Sequence, residues 1–293
     1  MTIFEMVEKD REELKDIDKN KELYYLSYPI KKRNGNSRWL DAPQGELKDF
    51  QEAFLYKFLY KFKPHPAAVG FVTKKHVSDG AKKHLKNNVL LTIDVLNFFG
   101  SIHELRVIKL ISFLFSAYVK RDPSFVFRKD DIPLIASLLT FKGSIPQGAP
   151  SSPALSNLYC LRLDKNLTNF AENHNLVYTR YADDSAFSHK NRTEDIGKLI
   201  PEIEMFFNAE ALVLNKKKTK VRRPHKRMVV TGVVINDKLG IPKWKSKNFR
   251  AKLHNLIRDN KSVTLEEYQK MRGYAEWIRT LDPLKGKKFI KQL

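Results

Sequence analysis

With 293 residues, 42% of them hydrophobic and 11% aromatic, the chain has enough apolar mass for a large single domain or two to three packed subdomains, and wholesale disorder is excluded. Fifty-four Lys and Arg against 33 Asp and Glu leave a formal net charge of +21. That excess points to nucleic acid ahead of an anionic membrane, because each cation that meets a phosphate releases condensed counterions. The single cysteine, Cys160, excludes an internal disulfide framework and a Cys-rich zinc site. The first residues lack the apolar core of a signal peptide, and the longest apolar run, Leu110 to Val119, is too short for a bilayer core of about 30 Å. The chain reads as soluble and cytoplasmic, with no membrane partner.

Residues 1–22 predict an amphipathic helix and Tyr24 to Ile30 a strand, followed by a turn-rich basic segment, Lys31-Lys32-Arg33-Asn34-Gly35-Asn36-Ser37-Arg38. Leu47 to Phe62 carries Phe50, Phe54, Leu55, Phe58, Leu59 and Phe62 at helical spacing. Val89-Leu90-Leu91-Thr92-Ile93 is a short apolar run of β-formers, hence a buried strand that ends at Asp94. Helical patterns continue to about residue 140. The segment Ser144 to Pro153 is a loop, with Ser152 suited to cap the next helix and Pro153 to its first turn. That helix is predicted to run through Leu155, Leu158, Tyr159, Leu163 and Leu167. Val177 to Ser188 alternates around a central Asp-Asp and predicts two strands joined by a tight turn. Ile196 to Phe207 predicts a helix and Met228 to Ile235 a strand. Residues 241–293 are mostly helical and hold 14 Lys and Arg against five Asp and Glu, a net of +9 suited to a nucleic-acid backbone. No internal repeat or low-complexity segment occurs.

The chemistry resides in carboxylates. Asp94 ends a buried strand, and Asp183 and Asp184 sit at a hairpin turn in Tyr181-Ala182-Asp183-Asp184. Phosphoryl transfer from a nucleoside triphosphate gathers negative charge on the attacking, transferring and leaving oxygens. Two Mg²⁺ ions about 3.5–4 Å apart neutralise that charge, and Mg²⁺ prefers hard oxygen ligands. A carboxylate on a strand end facing a pair on an adjacent hairpin suits such a clamp. Taken singly, each element has a plainer explanation: Asp pairs are common in turns, and a lone Asp can cap a helix.

Three segments in order carry a resemblance: Ile93-Asp94-Val95-Leu96-Asn97-Phe98-Phe99, then Pro146-Gln147-Gly148-Ala149-Pro150-Ser151-Ser152-Pro153, then Tyr181-Ala182-Asp183-Asp184. They resemble three successive palm motifs of reverse transcriptases, most closely those of bacterial retrons, and the likeness extends from about Ile30 to about residue 285. It implies an α+β right-hand polymerase with fingers, a palm built on an antiparallel sheet and a short helical thumb. The fingers would be residues 1–88 and 115–145, the palm 89–114 and 146–240, and the thumb 241–293.

The resemblance also implies roles. Asp94, Asp183, Asp184 and the backbone carbonyl of Val95 would hold two Mg²⁺ ions. Lys31, Lys32 and Arg38, before Trp39-Leu40-Asp41-Ala42-Pro43, resemble the fingers segment that holds the incoming dNTP; an ordinary basic hairpin tip has the same composition. Gln147 and Gly148 would pack under the nucleotide and template, with Gly148 allowing close backbone approach. Phe98 and Phe99 follow on opposite sides of an extended backbone. Composition alone makes both core, whereas the resemblance puts Phe99 beneath the sugar, where its ring would exclude a 2′-hydroxyl. Leu214-Asn215-Lys216-Lys217-Lys218-Thr219 resembles the next palm motif, and Lys218 is the candidate general acid for the departing pyrophosphate, against a solvated basic turn.

Retron enzymes carry two further signatures. Val-Thr-Gly is present as Val230-Thr231-Gly232; Asn-Ala-x-x-His appears as Gly80-Ala81-Lys82-Lys83-His84, with Gly80 in place of Asn. A lone His such as His84 also suits a structural core. The family implies a cognate structured non-coding RNA as partner, DNA synthesis from the 2′-hydroxyl of an internal guanosine, a branched RNA–DNA product (msDNA), and an effector protein encoded nearby that acts with it against bacteriophage. Alternatives are a non-retron bacterial reverse transcriptase, for which Gly80 speaks, an RNA-dependent RNA polymerase, against which Phe99 speaks, and a catalytically idle RNA-binding scaffold.

Overall fold

The computed structural model describes residues 1–31, 35, 37–258 and 264–293. The chain begins with two short helices, α1 (Ile3–Val7) and α2 (Arg11–Lys19), where the sequence predicts one. Glu8 separates them by adopting φ 56°, which ends α1 in a left-handed cap. A hairpin follows, β1 (Tyr25–Lys31) and β2 (Ser37–Pro43), then α3 (Gly45–Lys57), α4 (Val77–Lys83), β3 (Val89–Asp94), α5 (Glu104–Val119), α6 (Asp131–Leu138), α7 (Ser152–Tyr159) and α8 (Leu161–Asn173). Ser151 rather than Ser152 stands at the head of α7, and its hydroxyl bonds Gln51 Oε1 at 3.2 Å instead of capping. The helix predicted through Leu167 is interrupted at Cys160. Next come β4 (Val177–Tyr181), β5 (Asp184–His189), α9 (Ile200–Ala209), β6 (Lys220–Arg222), β7 (Val229–Val230) and β8 (Val233–Val234). The C-terminal part is α10 (Lys243–Arg258), α11 (Leu265–Leu281) and α12 (Pro283–Lys291).

These elements form two compact units, Met1–Val72 with Val95–Asn166 and Glu204–Leu214, and Thr73–Asp94 with Leu167–Ile203 and Asn215–Leu293. In the first, β1 and β2 pair antiparallel from Tyr25↔Pro43 to Lys31↔Ser37. Its core is aromatic. Phe58 is fully buried, with Phe54, Phe115 and Tyr118 rings at 5.1, 5.2 and 5.6 Å, mostly in tilted or edge-on arrangements that suit the ring quadrupoles.

The second unit is organised by an antiparallel sheet in the order β4-β5-β3-β6. Central β3 owes its place to composition: Val89, Leu90 and Leu91 are each fully buried. The predicted strand Met228 to Ile235 is instead a hairpin, β7 and β8, because Thr231 and Gly232 both take positive φ (47° and 85°) and reverse the chain in two residues. Met228, Val230, Val233 and Ile235 from this hairpin pack with Ala81 and Leu90. A second cluster, Phe249, Leu253, Met271, Ala275, Ile278 and Phe289, joins α10, α11 and α12, with Tyr274 and Trp277 packed against it. Among the described residues no helix is long and apolar enough to cross a membrane.

Candidate active site

The site is built on two adjacent strands of the second unit. β3 and β5 run antiparallel with Asp94 opposite Asp184 and Ile93 opposite Ser185. β4 and β5 pair so that Tyr181 faces Asp184, leaving Ala182 and Asp183 as the two residues of the turn. Ala182 takes φ 55°, an uncommon conformation for a residue with a Cβ, and such strain persists where the surroundings enforce it. The pairing therefore holds Asp94 and the Asp183–Asp184 pair at one end of the sheet.

The segment after Leu214 completes the cluster. The Asn215 backbone N–H donates to the Asp94 carbonyl at 2.8 Å, and its side-chain amide donates to Asp94 Oδ1 at 3.0 Å. Lys218 and Thr219 turn back on Asn215 through backbone bonds of 2.9 and 3.0 Å. That turn brings the Lys218 ammonium 2.8 Å from Asp94 Oδ2. The hydrogen bond to Asp94 raises the Lys218 pKa, opposed by desolvation and aided by the charges of Asp94, Asp183 and Asp184. Desolvation, then repulsion from Asp183 and Asp94, pushes the Asp184 carboxyl up to about 6, with Lys218 acting the other way. Asp184 as a residue remains exposed, so the like-charge repulsion is the firmer of these causes. Among the described residues no group of three or more His, Cys, Asp or Glu is arranged to hold a metal ion by itself. The donor set nevertheless fits hard divalent cations: three carboxylates of like charge repel one another at one strand end, and Lys218 offsets part of that charge through Asp94.

A cavity of about 440 Å³ opens beside Asp184. Thr92, Thr179, Tyr181, Ser185, Arg222 and Thr231 are among the residues that line it. Arg222 Nη1 donates to Thr92 Oγ1 at 3.2 Å. Val230, Thr231 and Gly232 enter this cavity as the tip of the β7–β8 hairpin. Ala81 and His84 do not: both are fully buried, and His84 bonds Ser188 and Thr179 inside the unit.

The remaining predicted residues lie in the first unit. Gln147 accepts from the Asp41 N–H through its own carbonyl at 2.7 Å, and its buried Oε1 has no partner among the described residues. Gly148 takes φ 121°, and a Cβ there would stand 2.9 Å from the Asp41 carbonyl oxygen. The close approach that requires this glycine is thus to the β2 backbone. Phe98 and Phe99 are in helical rather than extended backbone; Phe98 is buried and Phe99 half-buried, with ring centroids 5.5 Å apart. Val95 is buried and bridged to Leu214. Lys31 and Arg38 are exposed near the tip of the β1–β2 hairpin, at pairs Lys31↔Ser37 and Ile30↔Arg38; Lys32 lies outside the described residues. Asn215, Thr179, Ser188 and Arg222 were not singled out from sequence. Asn215 opens the motif that contains Lys218, the one signal that pointed to it.

An antiparallel sheet carrying this carboxylate trio, with a helical C-terminal part, defines the right-hand polymerase fold. Solved structures agree: telomerase from Candida albicans in complex with a fragment of telomeric RNA superposes with a TM-score of 0.52 at 13% identity, covering 90% of this chain and 54% of that one. Apo telomerase from Candida tropicalis gives 0.51 at 14% identity, covering 74% and 55%. The reverse transcriptase (RNA-dependent DNA polymerase) family matches residues 30–235, and the chain belongs to that family, in its retron type. The retron Ec86 reverse transcriptase of Escherichia coli is 32% identical over 91% of this chain and 79% of its own length. The retron Mx162 reverse transcriptase of Myxococcus xanthus is 30% identical over 92% of this chain, which spans 60% of that relative's length.

Proposed function

We propose that the chain copies part of a cognate structured RNA into DNA, using Asp94, Asp183 and Asp184 as its catalytic carboxylates. The observation that carries this reading is the register of Asp94 against Asp184 with Lys218 bonded to Asp94. The three carboxylates and the Val95 carbonyl would hold two Mg²⁺ ions, which supply charge neutralisation and alignment of the attacking hydroxyl. The chain's own residues do the rest. Lys218, held protonated, stands ready to give a proton to the departing pyrophosphate. Lys31, Lys32 and Arg38 bind the phosphates of the dNTP, with Arg38 offering a planar fork. Gln147 supports the nucleotide, and Phe99 excludes a ribose 2′-hydroxyl. Residues 1–88 and 115–145 act as fingers, 89–114 and 146–240 as palm, and 241–293 as thumb.

The retron relatives extend the proposal. Synthesis starts from the 2′-hydroxyl of an internal guanosine and leaves a branched RNA–DNA product, and the complex acts in the bacterial cytoplasm with an effector protein against bacteriophage. The test is extension of oligo(dT) on poly(rA) by purified protein with Mg²⁺ and dTTP, beside Asp183→Asn. Extension by the wild type alone supports the polymerase reading; equal extension by the variant removes the metal assignment. Sequencing of copurified RNA, and sensitivity of the product to a 2′–5′ debranching enzyme, tests the priming.

A further inference from the structure

His84 is fully buried beneath the sheet and touches no catalytic group, yet its two ring nitrogens are both engaged. Nδ1 lies 2.6 Å from Ser188 Oγ and Nε2 2.7 Å from Thr179 Oγ1. The Asn87 side-chain amide donates to the same Ser188 Oγ at 2.5 Å. Burial holds His84 neutral, with a pKa lowered to about 3. A neutral imidazole has one donor and one acceptor nitrogen, and a hydroxyl has one proton.

These inventories set the direction of the chain. The Asn87 amide nitrogen can only donate, so Ser188 accepts from it. The Ser188 proton, fully buried, has among the described residues one other neighbour to go to, His84 Nδ1; leaving it unpaired would cost more than the bond contributes. Nδ1 is therefore the acceptor, Nε2 carries the hydrogen, and Nε2 donates to Thr179 Oγ1. Thr179 is left with a proton that no group among the described residues takes up, and Thr179 lines the cavity beside Asp184. Arg222 lines the same cavity, its Nη1 donating to Thr92 Oγ1 at 3.2 Å. A hydroxyl donor beside a guanidinium suits a phosphodiester oxygen.

We infer that His84 is a positioning residue: through the Asn87–Ser188–His84 chain it fixes the Thr179 hydroxyl as a donor into the cavity beside Asp184, where it meets a phosphodiester oxygen of the strand being extended. The inference rests on the polymerase reading for the identity of the strand, and on the hydrogen-bond chain alone for the direction of the donor.

The experiment has two parts. In the full chain labelled with ¹⁵N-histidine, the His84 signal (identified by its loss in His84→Gln) reports the tautomer; Nε2–H is expected, and Nδ1–H overturns the inference. Binding of fluorescein-labelled oligo(dT)·poly(rA), followed by anisotropy, reads the consequence. Thr179→Val is expected to weaken Kd roughly tenfold, the effect of one hydrogen bond to a charged acceptor. His84→Gln, whose amide N–H reaches the place of Nε2, stays within about threefold of wild type. His84→Asn falls short of it and matches Thr179→Val, and the double variant His84→Asn/Thr179→Val is no weaker than Thr179→Val alone. Additive losses, or an unchanged Kd for Thr179→Val, overturn the inference. Should His84→Asn fail to fold, the wild-type tautomer and Thr179→Val still decide. Wild-type protein that binds the duplex but never extends it counts against the polymerase reading and leaves the tautomer result intact.

Discussion

The Lys218 ammonium and Asp94 Oδ2 are 2.8 Å apart, and the two side chains differ sharply in environment, with Lys218 64% exposed and Asp94 9%. An ion pair with one partner so exposed contributes little to stability, because solvent screens it and the lysine loses rotamer freedom. The contact instead keeps the Lys218 ammonium protonated beside the carboxylate cluster, where the proposed function needs a general acid.

That placement predicts the behaviour of Lys218→Gln. The rate of single-nucleotide addition at saturating dNTP should fall by roughly 10²-fold or more, the contribution typical of a general acid. The thermal midpoint should move by no more than a degree or two, since the pair is solvent-screened. Rapid-quench kinetics on a defined primer–template, with a melting curve on the same sample, separates the two. An unchanged rate with a lowered midpoint would make Lys218 a structural residue only.

Asp183 sits in the two-residue turn between β4 and β5, so replacing it does not disturb either strand pairing. Asp183→Asn keeps shape and removes one negative charge from the cluster that repels Asp184. DNA synthesis should be lost to below about a thousandth of wild type, as expected when a metal-binding carboxylate is neutralised, while affinity for RNA is retained. Primer extension and an RNA-binding titration on one preparation check both halves. Near-wild-type synthesis would move the metal site elsewhere.

The carboxylate site was legible because each part is local. A continuous run of β-formers announces β3 and its terminal Asp94, and alternation around Asp183–Asp184 announces the β4–β5 hairpin. What was not legible depends on partners distant in sequence. β2, Ser37 to Pro43, is exposed only over its first three residues, ends in a Pro, and becomes a strand by pairing with β1. The β7–β8 turn uses Thr231 at a position where Asn or Gly would have been the signal. Gly148 was legible as a point of close approach, but the chain it admits is the Asp41 backbone. His84 meets Ser188 and Thr179 across separations of 104 and 95 residues, which no local pattern reveals.

Two glycines in the C-terminal helices should respond in opposite ways to the same substitution. Gly286 on α12 is buried, and a Cβ there would fall 2.3 Å from Arg279 Cα on α11. Gly286→Ala must push α12 away and loosen the Phe249–Phe289 contact, now 5.1 Å between centroids. The expected cost is about 1–3 kcal/mol. Gly273 lies within α11 with nothing within 4 Å of the added carbon. Gly273→Ala should stabilise by about 0.5–1 kcal/mol through lower unfolded-state entropy and better helix propensity. Urea titrations of the two variants test the pair; equal effects would mean that α12 does not pack against α11 at Gly286.

His84 makes acid sensitivity predictable with a sign. Its pKa is 6.5 when unfolded and about 3 in the folded chain, where burial disfavours the imidazolium. Between those values the unfolded chain binds the extra proton, so stability is full above pH 6.5 and falls as pH drops toward 3. The slope approaches about 1.4 kcal/mol per pH unit, so His84 alone should cost about 2 kcal/mol at pH 5. Asp184 works the other way. Its folded pKa, about 6, lies above the ordinary 3.8, so protonation over that interval favours the folded state. The two are separated by comparing wild type with His84→Gln, which has no imidazole to protonate but leaves Asp184 in place. Urea midpoints at pH 7.5 and 5.0 should drop for wild type and drop less, or rise, for His84→Gln. Equal drops in both proteins would show that acid reaches the fold through some group other than His84.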